Sequence, residues 1–161
     1  MLDPDARKRL LRSFTYGLYW VTAVHDGERG IFTANWVSQA SFDPPLLMLS
    51  VEKSSSTLPL IQASGRFVIG PFRGDQRELA GDLGRPKLRA GDKIASFQLD
   101  IRSMEAGGFA LADSLGALAC EVRGQSDAGD SVVLVAEAIE ARALGEGTPL
   151  TMSAAGFRHF G

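Results

Sequence analysis

With 161 residues, 45% of them apolar, and a single cysteine, the chain is expected to form one domain, residues 1–161, with an adequate core and no internal disulfide. A formal charge of −2 with no long Lys/Arg block argues against nucleic acid or an anionic membrane surface as partner. No apolar run approaches the roughly 18 residues of a membrane-spanning helix and no charged-then-apolar leader stands out, so a cytoplasmic location is expected.

Asp3 to about Ser13 reads as a helix, with Asp3 as cap, Pro4 in the first position, and Leu10, Leu11 and Phe14 as an apolar stripe. Tyr19–Val24 is β-branched and aromatic, hence a strand, and the turn His25–Gly30 leads to a partner strand at Ile31–Thr33. Asp43-Pro44-Pro45 removes two backbone donors, so no central strand passes through it and the chain bends before a strand at Leu46–Glu52. Thr57–Ser64 reads as a short helix capped by Ser56 or Thr57 and stopped by Gly65. A strand follows at Arg66–Gly70, then a helix at Asp75–Leu83 ending at Gly84, then a basic loop from Arg85 to Lys93. Further strands are expected at Phe97–Ile101, Leu115–Val122, Val132–Ala143 and Gly156–Phe160, with a turn at Ser126–Asp130. Many strands and only short helices predict a mainly β, antiparallel barrel, and no G-x-G-x-x-G lies between a strand and a helix to indicate a Rossmann fold.

Chemistry concentrates in two stretches. Asn35-Trp36-Val37-Ser38-Gln39 offers amide and hydroxyl groups that suit a flat polar heterocycle, although from spacing alone Asn35 and Ser38 equally make a strand-to-turn connection. Trp36 either stacks beside such a ring or serves as core. Lys53-Ser54-Ser55-Ser56-Thr57 suits a phosphate, although a Ser/Thr run before a helix also serves simply as a cap. The two stretches flank one strand containing Val51, and seven strand residues span about 20–25 Å, so both ends of one ligand fall within reach. Arg85, Lys87 and Arg89 either add a second cationic wall or form a solvated surface. Cys120 alternates with Leu118 and Val122 and reads as inert core, and two histidines and one cysteine compose neither a nucleophilic triad nor a metal cluster.

Asn-Trp-Val-Ser-Gln-Ala-Ser-Phe-x-Pro-Pro-Leu resembles the signature of flavin reductase-like proteins that bind FMN in a split β-barrel. The resemblance extends through Tyr16–Tyr19, Ser64–Val68, Ala119–Val122, Gly129-Asp130 and Pro149–Met152. It implies a six-stranded Greek-key split barrel that forms a homodimer. It also implies an FMN site drawn from Asn35, Trp36, Val37, Ser38, Gln39, Val51, Lys53, Ser54, Ser55, Thr57, Arg85 and Lys87. The implied activity is NAD(P)H-dependent flavin reduction, in which the flavin takes hydride from NADH or NADPH and serves free flavin, oxygen, a partner monooxygenase or an electron-transfer protein. No catalytic side chain is required for that. The chain departs from the family at Ser131, where relatives carry a histidine near the open flavin face, and at Leu83-Gly84 and Ile69-Gly70-Pro71. Ser131 keeps a second reading open, a non-enzymatic FMN-binding or electron-carrier protein.

Overall fold

The computed structural model describes residues 1–86 and 92–158. The elements are α1 (Pro4–Arg12), β1 (Tyr19–His25), β2 (Glu28–Ala34), β3 (Val37–Ser41), β4 (Leu46–Glu52), α2 (Leu58–Ser64), β5 (Arg66–Pro71), α3 (Arg77–Gly84), α4 (Lys93–Ser96), β6 (Ile101–Ser103), β7 (Phe109–Leu111), β8 (Gly116–Ala128), β9 (Ser131–Ala143) and α5 (Met152–Ala155). The expected mainly β, antiparallel architecture with short helices is what forms. Among the described residues the main sheet has seven strands rather than six, in the order β2-β1-β5-β8-β9-β4-β3, and β6 and β7 form a separate pair.

Local chemistry explains the hairpins. Asp26 and Gly27 both take positive φ, 48° and 80°, so a two-residue turn joins β1 to β2 and the strands run further toward it than the expected turn over 25–30 allowed. A second tight turn at Gly129-Asp130 lets β8 and β9 extend for 13 residues each, so residues 126–128, expected in a turn, lie in β8. The stretch before Asp43 is not merely a connection: Val37–Ser41 pairs with β4 as an edge strand, with a register shift between Gln39 and Ser41.

Two expected strands are replaced. Asp92 accepts from the Ile94 N–H at 2.8 Å and starts α4, and the Phe97 N–H closes onto Lys93 O, so residues 97–100 continue a turn and extension begins only at Ile101. At the C-terminal end, Thr151 accepts from the Ala154 N–H and Gly156 takes φ 70°, producing the helical turn α5 and ending it. The expected strand at 156–160 is therefore absent over 156–158, and 159–160 lie outside the described residues.

Two apolar clusters cover opposite faces of β1, β5 and β8. Alternation sends Trp20, Val68 and Ala119 to one cluster with Leu18, Phe72, Leu83 and Phe109, and sends Val21, Phe67, Ile69 and Cys120 to the other with Leu49, Ile61 and Leu134. The second cluster draws on strands across the whole sheet, which requires the sheet to curl around it. The first is closed over by α3, α4, the β6–β7 pair and α5. Cys120 is core, as expected, and burial pushes its thiol pKa up to about 12.

Trp20 is fully buried, and among the described residues its Nε1 has no hydrogen-bond partner. Its ring lies directly on Gly70, so closely that an added Cβ would collide with it and with Gly116 O. Gly70→Ala is accordingly expected to cost about 1–3 kcal/mol through overpacking; urea unfolding should show it, and an unchanged midpoint would mean that the tryptophan has room to move.

Candidate functional site

The edges of the curled sheet, β2 and β3, are joined by only Asn35 and Trp36. Where they approach, the sheet is open, and a cavity of about 910 Å³ occupies the seam. One side is β2 from Ile31 to Ala34; the opposite side is Ser50, Val51 and Glu52 of β4 with the turn Ser54–Thr57. α3 contributes Ala80, Gly81, Leu83 and Gly84, and the rim is completed by Arg85, Pro86, Lys93, Met152 and Gly156–Arg158.

Among the expected site residues, Asn35, Trp36, Val51, Ser54, Ser55, Thr57 and Arg85 are brought together on this cavity. Val37, Ser38 and Gln39 lie outside its lining, in an edge strand where Ser38 Oγ and Gln39 Nε2 donate to the carbonyls of Gln39 and Ser41. Lys53 is also outside it. Its ammonium is 2.8 Å from Asp127 Oδ1 at the β8 end, holding that carboxyl below the usual range. Lys87 lies outside the described residues.

Asn35 is 9% exposed and, among the described residues, its Nδ2 has no hydrogen-bond partner, so a buried amide donor stands unmet in the cavity wall. Thr57, 2% exposed, packs on Gly30, where an added Cβ would lie 2.6 Å from Thr57 Oγ1. Thr57 occupies the cap position of α2 but makes no capping bond; instead its N–H donates to Ser55 Oγ at 3.3 Å. Trp36 is half-buried on the cavity wall, and its carbonyl accepts from the Ser50 N–H, tying the connector to β4. Phe157 rests on Gly81, where a Cβ would be 3.2 Å from the ring, and Arg77 sits 5.4 Å from the ring centroid.

Sequence reasoning missed Glu52, Lys93, Met152 and Phe157 as cavity residues. The signal for Lys93 was present: Asp92 before Lys-Ile-Ala is an N-cap pattern that ends the basic loop and fixes the lysine on a helical turn. Met152 and Phe157 carried none, because only the tertiary fold returns the C-terminal end to β2. Ser131 does not line the cavity. It is 2% exposed, donates to Asp130 Oδ1 at 2.9 Å, and sits directly opposite Glu52 of the cavity wall across the β4–β9 pair.

The family described as flavin reductase like domain matches residues 11–161. Over 159 residues, 99% of this chain and 82% of the relative, the chain is 30% identical to the reductase component of a 4-nitrophenol 4-monooxygenase/4-nitrocatechol 2-monooxygenase of Rhodococcus opacus. It is 32% identical over 154 residues, 95% of this chain and 84% of the relative, to FMN reductase (NADH) SmoA of Agrobacterium fabrum. Among solved structures, an NADH:FAD oxidoreductase of Streptomyces globisporus matches with TM-score 0.84 at 22% identity, over 100% of this chain and 96% of the other, a likeness of fold.

An unmet amide in the cavity wall costs the fold stability. Asn35→Leu is expected to stabilise the ligand-free protein by about 1 kcal/mol in urea unfolding while weakening whatever the amide binds; a destabilised variant would show that Asn35 is satisfied within the fold.

Proposed function

Because this chain belongs to the flavin reductase like domain family, we propose that it is an NAD(P)H-dependent flavin oxidoreductase that holds FMN in the seam cavity and delivers reducing equivalents to free flavin, oxygen or a partner monooxygenase. The observation that carries the site is the buried Asn35 Nδ2, a donor in want of an acceptor on the wall of a cavity whose volume falls within the roughly 300–1,000 Å³ of small-molecule sites. A flavin ring edge carries carbonyl and ring-nitrogen acceptors that match it.

Bound FMN would supply the hydride-accepting chemistry itself. The chain's share is binding, orientation and exclusion of water. Asn35 would hold the ring edge of the flavin, with Trp36 and Val51 beside it, while Ile31, Leu83 and Met152 keep the walls apolar. The hydroxyls of Ser54, Ser55 and Thr57 and the Arg85 guanidinium serve the phosphate end. NADH or NADPH is the hydride source in this reading. The alternative of a non-enzymatic carrier has less support, because relatives matched over most of their length include a monooxygenase reductase component and an FMN reductase (NADH).

The finer proposal of a homodimer rests on the outer sheet face. Leu47, Leu49, Leu134 and Ala136 pack inward, so Leu46 and Met48 of β4 and Val133, Val135 and Ile139 of β9 face out, with Met48 directly opposite Val135. Ile139 is exposed and the others are only half-buried, an apolar patch of the kind a second copy covers.

Under anaerobic conditions, adding NADH or NADPH to the FMN-loaded protein should bleach the visible flavin band within about seconds; colour that survives both nucleotides would refute the enzyme reading. Independently, Met48→Glu should convert a species of twice the chain mass into one of single mass in light scattering. A wild-type protein already at single mass would rule the homodimer out.

A further inference from the structure

We propose that Lys93 is an anion-binding residue of the cavity, presenting one ammonium proton to a phosphate oxygen of the bound nucleotide while the other two hold the backbone around α3. This rests on the flavin-site reading above and goes beyond it, because neither the signature stretches nor the Ser/Thr turn includes this lysine.

The geometry singles it out. Among the described residues, four charged ones line the cavity, Glu52, Arg85, Lys93 and Arg158. Arg158 is exposed, and Arg85, largely exposed, faces Asp82 at 3.5 Å, whereas Lys93 is half-buried. Its Nζ donates to Leu83 O at 2.7 Å and to Arg85 O at 2.6 Å. An ammonium has three donors, so one remains after these two bonds. Among the described residues no carboxylate pairs with it, unlike Arg29, Lys53, Arg66, Arg73, Arg123 and Arg142, each of which faces an acid. Two neutral carbonyls only partly replace the lost hydration, and burial lowers the lysine pKa below its ordinary value. A phosphate would relieve that deficit, which is the situation in which a charge-assisted bond is strongest.

The side chain is also held in place. Asp92, immediately before it, accepts from the Ile94 N–H and pairs with Arg29 of β2, so the start of α4 is fixed to one cavity wall while the ammonium reaches the end of α3, another. The competing reading makes Lys93 only a cap for the last carbonyls of α3. A cap stabilises the fold but does not distinguish a phosphorylated ligand from its dephosphorylated form.

Binding of FMN and of riboflavin to wild type, Lys93→Met and Lys93→Arg separates the two. The expected result for Lys93→Met is a loss of roughly ten- to hundredfold in FMN affinity with riboflavin affinity nearly unchanged, and partial recovery in Lys93→Arg. If the phosphate bound is instead that of the nicotinamide dinucleotide, Lys93→Met leaves the FMN-to-riboflavin ratio intact and raises KM for NADH or NADPH with kcat retained, which also supports the assignment. Equal losses for both flavins, or no change in either ratio or KM, overturns it. Should Lys93→Met fail to fold, the 15N shift of the Lys93 ammonium in wild type decides: it moves with FMN or NADH and not with riboflavin if the assignment is correct. A wild-type protein that binds neither flavin overturns the function reading as well, whereas one that binds both with no role for Lys93 overturns only this inference.

Discussion

The two-residue link between β2 and β3 constrains everything else. From Ala34 to Val37 the chain takes three Cα steps and so covers at most about 11 Å. In a flat sheet, six spacings of about 4.8 Å would put the first and last of seven strands roughly 29 Å apart. Yet these two strands are the opposite edges of the sheet. The link can exist only if the sheet curls until its edges nearly meet, and the long β8–β9 hairpin accommodates the bend through two bulges, an extra Ile139 in β9 opposite Ala119/Cys120 and an extra Arg123 in β8 between Val122 and Gly124. Curling creates the inner cluster and, at the same time, a seam where pairing stops.

That seam is where the candidate site residues collect. Asn35 and Trp36, residues of the link itself, cross it, with the Trp36 carbonyl tied to the Ser50 N–H of β4. The orphaned Asn35 amide is thus a by-product of closure: a donor that the fold places but, among the described residues, does not satisfy. The remaining walls come from distant parts of the chain, α3 through Leu83, α4 through Lys93 and the C-terminal turn through Met152 and Phe157. Their convergence depends on the outer cluster, in which Leu83, Ile94 and Met152 are buried together.

How much of this was legible follows from the range of the interactions. Elements set by local chemistry read clearly: the Asp3 cap with Pro4, the Gly65 stop after α2, and the Tyr19–Val24 strand are all present. Errors arose where a local signal had two meanings. Apolar residues after Ala95 suggested a strand, but the Asp92 cap had already begun a helical turn. Phe157 resembled a strand residue, but Gly156 closes a helix before it. The site was half legible. Asn35 and the Ser54–Thr57 turn, singled out from local composition, do line the cavity, whereas Lys53 pairs with Asp127, 74 positions along the chain, which no nearby spacing reveals.

Among the helices, α1 stands apart. It is well capped, yet none of its residues is buried, and Leu10 and Phe14 are largely exposed. A nine-residue helix is well below the length of roughly 12–15 at which isolated helices become even marginal in water. Its amides therefore belong to the least protected end of the molecule toward hydrogen exchange, and the central strands β1, β5 and β8, covered on both faces, to the most protected. The barrel and its seam can accordingly outlast the repeated melting and reforming of the first turns of the chain.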